Sequence, residues 1–293
     1  MPGANAWFAL AAAVLWGGGD FSGGMGAKRA GSTMGGALRV VLTSHAASFC
    51  VLVAIATWRG DAFPHGAPLL WGVLAGVMGG LSLVGFYIAL SRGAMGVSAA
   101  ISGLLAAAIP AAVSITREGS PGLLRIVGFM VAGVSIWMIA AGDNPEAQPV
   151  SKGTTWLAIL SGAGFGIYFT ALKFAGVAGV VWPMATARIG SLSTCSLILL
   201  GTVFAGSGKA GGRRWLPGKA ILWALSTALL DTSGNLLFIA STRAGRLDIA
   251  AVLASLYPGS TILLAAWMLH EWPTRRQAVG MLVAAAAVVM ITL

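Results

Sequence analysis

The residues best suited to chemistry in this chain are a few ionisable side chains inside long apolar stretches. Asp231 lies twelve residues from Lys219 and twelve from Arg243, the basic residues that bound its stretch. A helix rises about 1.5 Å per residue, so the carboxylate would lie about 18 Å from either end. Thr227 and Asn235 flank it one turn away on the same helix face. This polar stripe predicts a substrate or proton site, and a structural acid paired with an intramembrane arginine is the alternative.

Asp20 and His45 are candidates for proton coupling. Asp20 follows Trp16 by one helical turn and lies eight residues before Lys28, well inside the first apolar stretch. Burial favours the neutral form of a carboxyl group and a neighbouring arginine favours the ionised form, so such an acid can exchange a proton against substrate. His45 lies in the second stretch and could relay protons. The alternatives are a capped acid among close-packed helices and a neutral structural histidine.

Other side chains are candidates for a substrate-binding cavity. Arg188 lies inside an apolar stretch, and its planar guanidinium could hold an acid or a substrate carboxylate. The aromatic candidates for an amphipathic pocket are Trp16, Tyr87, Tyr168 and Tyr257. Simple core packing is the alternative for each of these rings.

Prolines and glycines shape the apolar stretches. Pro110 and Pro258 each remove a backbone hydrogen bond and should kink their helices, which makes them candidate hinges as well as structural bends. Gly72, Gly76 and Gly80 recur at four-residue spacing, which predicts close contact between helices.

Composition defines the class of protein. Only 9% of the 293 residues are charged, whereas 57% are hydrophobic. A soluble domain carries about 25% charged residues, so soluble and disordered chains are excluded and a polytopic membrane protein in the lipid bilayer remains. The net charge of +10 is spread between apolar runs, so we expect no nucleic-acid partner.

Ten apolar stretches are long enough to cross a bilayer as helices, which takes about 20 residues each. They lie near 5–26, 37–58, 68–90, 97–116, 122–141, 154–173, 182–205, 219–242, 248–268 and 275–293. The predicted fold class is therefore an all-α membrane protein with ten transmembrane helices, of the kind found in a bacterial inner or plasma membrane.

The two halves of the chain contain similar landmarks at similar positions. The pairs are Lys28 and Lys173, Arg39 and Arg188, Ser91 and Thr242, and Gly128 and Gly280, with offsets of 145, 149, 151 and 152 residues. They predict one five-helix repeat over 1–142, a linker over 143–153 and a second five-helix repeat over 154–293. Because five is an odd number, the repeats must enter the membrane in opposite senses. Inverted repeats are characteristic of secondary transporters, whose substrate site lies near the midplane.

Short motifs carry a resemblance to a known family. The ninth stretch contains Leu256-Tyr257-Pro258, Glu271 follows Pro258 by thirteen residues, and Gly280 lies in the tenth stretch. The first stretch contains Leu15-Trp16-Gly17, and the third ends in Tyr87-Ile88-Ala89-Leu90-Ser91-Arg92. Together these motifs resemble the ten-helix EamA-type branch of the drug/metabolite transporter superfamily. The first repeat departs from the pattern, because Pro110 precedes Glu118 by only eight residues.

The resemblance implies an exporter of amino acids, aromatic metabolites or drugs. We therefore expect a secondary transporter of amino acids or related amphipathic compounds that works outward by alternating access, with proton coupling as an added hypothesis. An uptake carrier or facilitator for sugars or other metabolites is the alternative, and a channel a further one. A monomer and a homodimer are both compatible with the sequence.

Enzyme chemistry is not indicated. The chain has no HExxH, Gly-x-Ser-x-Gly or GxxxxGK[ST] motif, and Cys50 and Cys195 lack the CxxC spacing. We expect no enzymatic activity, no metal and no cofactor.

Ten basic residues outside the apolar stretches fall on the side away from the termini and six on the termini side, which favours external termini by the positive-inside rule. The resemblance implies cytoplasmic termini instead, and the two indications conflict.

Overall fold

The computed structural model describes residues 3–92, 95–140, 151–204, 215–270 and 272–293, and within these ranges the regular structure is entirely helical. The helices are α1 (Ala4–Arg29), α2 (Met34–Trp58), α3 (Ala67–Arg92), α4 (Met95–Glu118), α5 (Leu123–Ala140), α6 (Lys152–Ala175), α7 (Val181–Phe204), α8 (Gly218–Ala244), α9 (Leu247–Ala254), α10 (Tyr257–Leu269) and α11 (Arg275–Thr292). A short 3-10 helix, Gly176–Ala178, follows α6. Most of the predicted linker and Glu271 lie outside the described residues.

Long apolar helices confirm the prediction of an all-α, multi-pass membrane protein. Eight described segments are long and apolar enough to cross a membrane, and α9 and α10 count together as one of them, Leu247–Leu269. The shorter apolar helix Leu123–Ile139 lies within α5, and α1 is not among the eight. A count of ten spans requires α1 and α5 to cross as well, so that count stays a prediction.

The bundle exposes many large apolar side chains and places glycines where helices contact each other. Trp58, Phe204 and Trp267 are among the most exposed residues, as expected for a surface that faces lipid. The glycine spacing of α3 is explained by its contact with α7. A Cβ atom at Gly76 would collide with the carbonyl oxygen of Ala187, and one at Gly190 would collide with that of Val73. The two helices therefore meet backbone to backbone, which confirms the predicted close contact.

Helix pairing follows a pattern that repeats between the two halves. Helix α1 packs on α8, α3 packs on α6, and α5 packs on α11. In the last pair a Cβ at Gly128 would lie 2.8 Å from Cγ1 of Ile291, and one at Gly280 would lie 2.9 Å from Cγ1 of Ile139. Gly128 and Gly280 are 152 residues apart, and so are Ile139 and Ile291. Helices α5 and α11 are thus antiparallel and contact each other reciprocally.

The first and last helices meet the same end of the bundle, which we call the termini end. Asn5 Nδ2, at the start of α1, donates to the carbonyl oxygen of Arg246 at 3.1 Å. Arg246 Nη2 donates in turn to the carbonyl oxygen of Gly119 at 2.7 Å, just before α5 begins. Since the first half of α5 packs on Ile291 near the end of α11, both chain ends lie here.

The ninth stretch is broken where its proline predicts a kink. Helix α9 ends at Ala254, the chain turns through Ser255 and Leu256, and α10 begins at Tyr257. Pro258 occupies the first turn of α10, where its missing N–H has no helical partner to lose. Helix α4, by contrast, runs through Pro110 without interruption. The hinge roles of both prolines stay predictions.

Candidate functional site

A cavity of about 480 Å³ lies inside the bundle between α1, α2, α3, α6, α7, α8 and α10. Eight of the candidate site residues predicted from the sequence line it: Trp16, Asp20, His45, Tyr168, Arg188, Asp231, Asn235 and Tyr257. They come from both halves of the chain and from six different helices. The fold therefore brings together residues that the sequence separates by up to 241 positions, from Trp16 to Tyr257.

An ion pair forms one wall of the cavity. Arg188 Nη2 on α7 donates to Asp231 Oδ2 on α8 at 2.6 Å and to Thr232 Oγ1 at 2.8 Å. The two charged side chains are 3% and 12% exposed. Two charges this deep in an apolar bundle are tolerated because each neutralises the other. The arginine partner proposed as the structural alternative for Asp231 is present, and the pair still faces the cavity.

Asn235 connects α8 to α6 beside the ion pair. Its Nδ2 donates to the backbone carbonyl of Asp231 at 2.7 Å, and its Oδ1 accepts from the hydroxyl of Tyr168 at 2.8 Å. Both ends of the amide are thus bonded, which holds its orientation. Thr227, the third member of the predicted stripe, does not line the cavity, and its hydroxyl donates to the carbonyl of Trp223 at 3.0 Å.

His45 on α2 bonds to a residue that the sequence analysis did not select. Its Nδ1 lies 2.6 Å from Ser191 Oγ on α7, and Ser191 Oγ donates to the carbonyl of Arg188 at 3.1 Å. His45 Nε2 has no hydrogen-bond partner among the described residues. Ser191 lies three residues after Arg188 on the same helix face, and this spacing was the available sequence signal.

Asp20 differs from Asp231 in having no ion-pair or hydrogen-bond partner among the described residues. The residue is 8% exposed and lines the cavity. Helix α1 approaches α8 closely here, since a Cβ at the preceding Gly19 would lie 3.1 Å from the backbone nitrogen of Asp231. The two acidic residues of the cavity therefore lie on helices in direct contact.

Aromatic rings form the apolar side of the cavity. Trp16 stacks on Phe169 with ring centroids 4.8 Å apart, and Phe169 lies nearly parallel to Phe165 at 6.3 Å. Phe165 and Phe169 both line the cavity, although the sequence analysis considered only tryptophans and tyrosines. Their four-residue spacing on one helix, with Tyr168 between them, was the pattern that could have revealed them.

Besides Thr227, three of the selected residues lie away from the cavity lining. Tyr87 is fully buried on α3 and packs against Gly23 of α1, so the structure places it behind the cavity wall. Pro110 and Pro258 are likewise absent from the lining. Tyr257, next to Pro258, does line the cavity, and its hydroxyl donates to the carbonyl of Ala99 on α4 at 3.1 Å.

In the described residues, an all-helical bundle of long apolar helices around an internal cavity of mixed polarity defines an integral, multi-pass membrane protein. The model of the EamA-like transporter family matches residues 152–293, nearly half of the chain. The resemblance expected from the short motifs is thereby confirmed. The assignment points to a membrane transporter of small molecules and away from an enzyme.

Comparison with solved structures agrees with the fold. One crystal structure of another protein superposes on this chain with a TM-score of 0.72. The match covers 98% of this chain and 96% of the other. The two sequences are 14% identical, so the likeness concerns the fold alone. No curated protein matches the sequence.

Proposed function

We propose that this protein is a secondary transporter that exports small amphipathic organic metabolites, such as amino acids or related compounds, by alternating access. The observation that carries the proposal is the Arg188–Asp231 ion pair in the wall of an internal cavity. Charges inside a membrane bundle are expensive, and those that line a cavity mark substrate or ion pathways. The family match over residues 152–293 supports the same class of function.

Alternating access requires two halves that can move against each other, and we propose the inverted repeat of 1–142 and 154–293 as these halves. The reciprocal contacts of Gly128 with Ile291 and of Gly280 with Ile139 support this arrangement. Equivalent residues of α5 and α11 exchange the same contacts, as a two-fold axis between the halves would require. The pairing of α1 with α8 and of α3 with α6 fits the same axis. The cavity is lined from both halves, as expected for a site at a repeat interface.

The composition of the cavity supports an amphipathic substrate. Arg188, Asp231 and Asn235 supply charged and polar groups, while Phe165 and Phe169 supply an apolar wall. Small-molecule sites typically combine apolar walls with a few placed polar groups, as this cavity does. Asp20 and His45 face the same space and are the groups that we propose to couple protons to transport.

The function is tested by solute counterflow in proteoliposomes, with the Asp231→Asn variant compared to wild type. A thermal-shift screen of amino acids, aromatic amines, drugs and sugars on the purified protein first identifies the solute to label. Asp61→Asn is the matched control, because Asp61 is a surface carboxylate that pairs with Arg59 outside the cavity. We expect saturable counterflow in wild type and control, and none in Asp231→Asn even though it inserts in the membrane. Unaltered flux in Asp231→Asn would reject the role of this residue, and conductance that does not saturate would favour a channel.

A further inference from the structure

The acidic and basic residues that line the cavity are unequal in number. The charged residues of the lining are Asp20, Asp231 and Arg188. Arg188 is committed to Asp231 at 2.6 Å, so this pair is neutral as a unit. Asp20 has no counter-charge among the described residues and is 8% exposed. In a membrane interior such a carboxyl group is neutralised either by a proton or by a positively charged ligand, so a substrate that brings a positive charge can take the place of the proton.

A second acceptor without a partner lies in the same lining. His45 Nδ1 and Ser191 Oγ lie 2.6 Å apart, and when the Ser191 hydroxyl donates to the carbonyl of Arg188 at 3.1 Å, its oxygen accepts from His45 Nδ1. A neutral histidine that carries its proton on Nδ1 presents a lone pair on Nε2. His45 Nε2 is buried without a partner, and its residue lines the cavity. A buried acceptor of this kind is stabilised by a ligand that supplies an N–H or O–H group.

We propose that the cavity binds an organic cation, namely a protonated amine with an apolar or aromatic body. The ammonium group donates to the Asp20 carboxylate and to His45 Nε2, and the body lies along Phe165 and Phe169. When Asp20 is ionised, one positive charge makes the occupied cavity neutral, whereas a zwitterion leaves it with one negative charge and an anion with two. The inference rests on the proposed transport function and narrows its substrate class.

Three compounds with the same phenylethyl body separate these charge classes: phenethylamine, a cation; phenylalanine, a zwitterion; and 3-phenylpropionate, an anion. Binding is measured at neutral pH as the ligand-dependent thermal shift of the purified protein in lipid nanodiscs. We expect phenethylamine to bind at least tenfold more tightly than phenylalanine, and 3-phenylpropionate to give no shift. Equal or tighter binding of phenylalanine or 3-phenylpropionate overturns the inference, and so does the absence of any shift with all three compounds.

Variants test whether Asp20 causes the preference for the amine. Asp20→Asn should remove the tenfold preference for the amine, Asp20→Glu should retain part of it, and Asp61→Asn should leave it unchanged. If Asp20→Asn does not fold, the three compounds are compared on the wild-type protein and on Asp20→Glu, and this comparison still tests whether the cavity prefers an organic cation. Saturable counterflow of phenylalanine without any preference for the amine would keep the transporter proposal and reject the cation. A preference for the amine that survives in Asp20→Asn would also reject the role of this carboxylate.

Discussion

Arg188 and Asp231 are joined at 2.6 Å across the contact between α7 and α8, and both line the internal cavity. The pair connects two helices of the second half, which holds the carboxylate in place. It also presents a dipole to whatever occupies the cavity. A structural and a functional interpretation of Asp231 therefore describe one arrangement, and experiments must separate stability from flux.

The first prediction concerns stability without the ion pair. Asp231→Asn leaves the Arg188 charge buried without its partner, which should lower the free energy of unfolding by about 3–5 kcal/mol. Replacing both charges, with Arg188→Met and Asp231→Leu, should recover most of this loss because no lone charge remains. Denaturation of the wild-type protein and of the purified variants measures these free energies of unfolding. The double variant should still fail to transport, and strictly additive effects of Asp231→Leu and Arg188→Met would contradict the coupling.

The second prediction concerns the close contact between α3 and α7. Gly190→Ala places a methyl group against the carbonyl oxygen of Val73, so the helices must separate and the melting temperature should fall by several degrees. Gly201→Ala on the same helix is the control, since a Cβ there meets nothing within 4 Å. Alanine is the better helix former by about 1 kcal/mol, so this control should be neutral or stabilising. Equal melting temperatures for the two variants would contradict the packing.

Helical periodicity was enough to predict some of the site residues, because it shows which residues of a single helix share a face. Asp231 and Asn235 share a face of α8, and both reach the cavity. The period could not show which helices meet, because the contact of α7 with α8 is tertiary. Arg39 illustrates this limit, since it matches Arg188 in the repeat pattern but lies with its guanidinium 5.8 Å from the ring of Trp215, outside the cavity lining. Ser191 was missed because its three-residue spacing from Arg188 is a weak signal by itself, and its contact with His45 on α2 is tertiary.

The pattern of apolar stretches also predicted most of the helices of the fold. Charges and prolines end helices for local reasons, so the helix boundaries of the described regions lie close to the expected ones. Pro258 indicated where the ninth stretch breaks, although the pattern predicted a kink and not two separate helices. Pro110 gave the same signal, yet α4 stays continuous, because packing in the bundle can hold a helix together across a proline.

The third prediction concerns the polar contacts at the termini end. Lys173 Nζ on α6 lies 3.7 Å from Glu118 Oε1 at the end of α4 and donates to the carbonyl of Thr242 on α8 at 2.6 Å. Glu118→Gln removes the charge and should make this end open more often. Cysteine labelling of Met184→Cys, a cavity residue in the first turn of α7, measures the opening in a background without Cys50 and Cys195. An impermeant reagent applied at the termini end should react several-fold faster with Met184→Cys when Glu118→Gln is also present. An unchanged rate would contradict the idea that the contacts of Glu118 hold this end closed.

The fourth prediction concerns pH. Arg246 precedes α9 at the termini end, and its hydrogen bond to the buried carboxylate of Asp248 raises the pKa of the guanidinium above its ordinary value. A raised pKa means that the charged form stabilises the fold at every pH below the ordinary value and that this contribution is lost only when the pH rises above it. The stability difference between wild type and Arg246→Gln should therefore stay constant from about pH 7 to about pH 10. Thermal unfolding across this range tests it, and a difference that shrinks toward pH 10 would contradict the assignment.

The fifth prediction separates bending from stability at Pro258. The residue occupies the first turn of α10, where no helical hydrogen bond is lost, so Pro258→Ala should change the melting temperature by only about 1–2 °C. The helix could then continue from α9 through Ser255 and Leu256, because an alanine at position 258 has the N–H that would donate to the carbonyl of Ala254 and lacks the proline ring that clashes with this carbonyl. If the break is a hinge, counterflow should slow several-fold while substrate affinity stays the same. Pro110→Ala is the comparison, since Pro110 lies inside continuous α4, and equal effects of both variants on the rate would show that the break between α9 and α10 has no special part in transport.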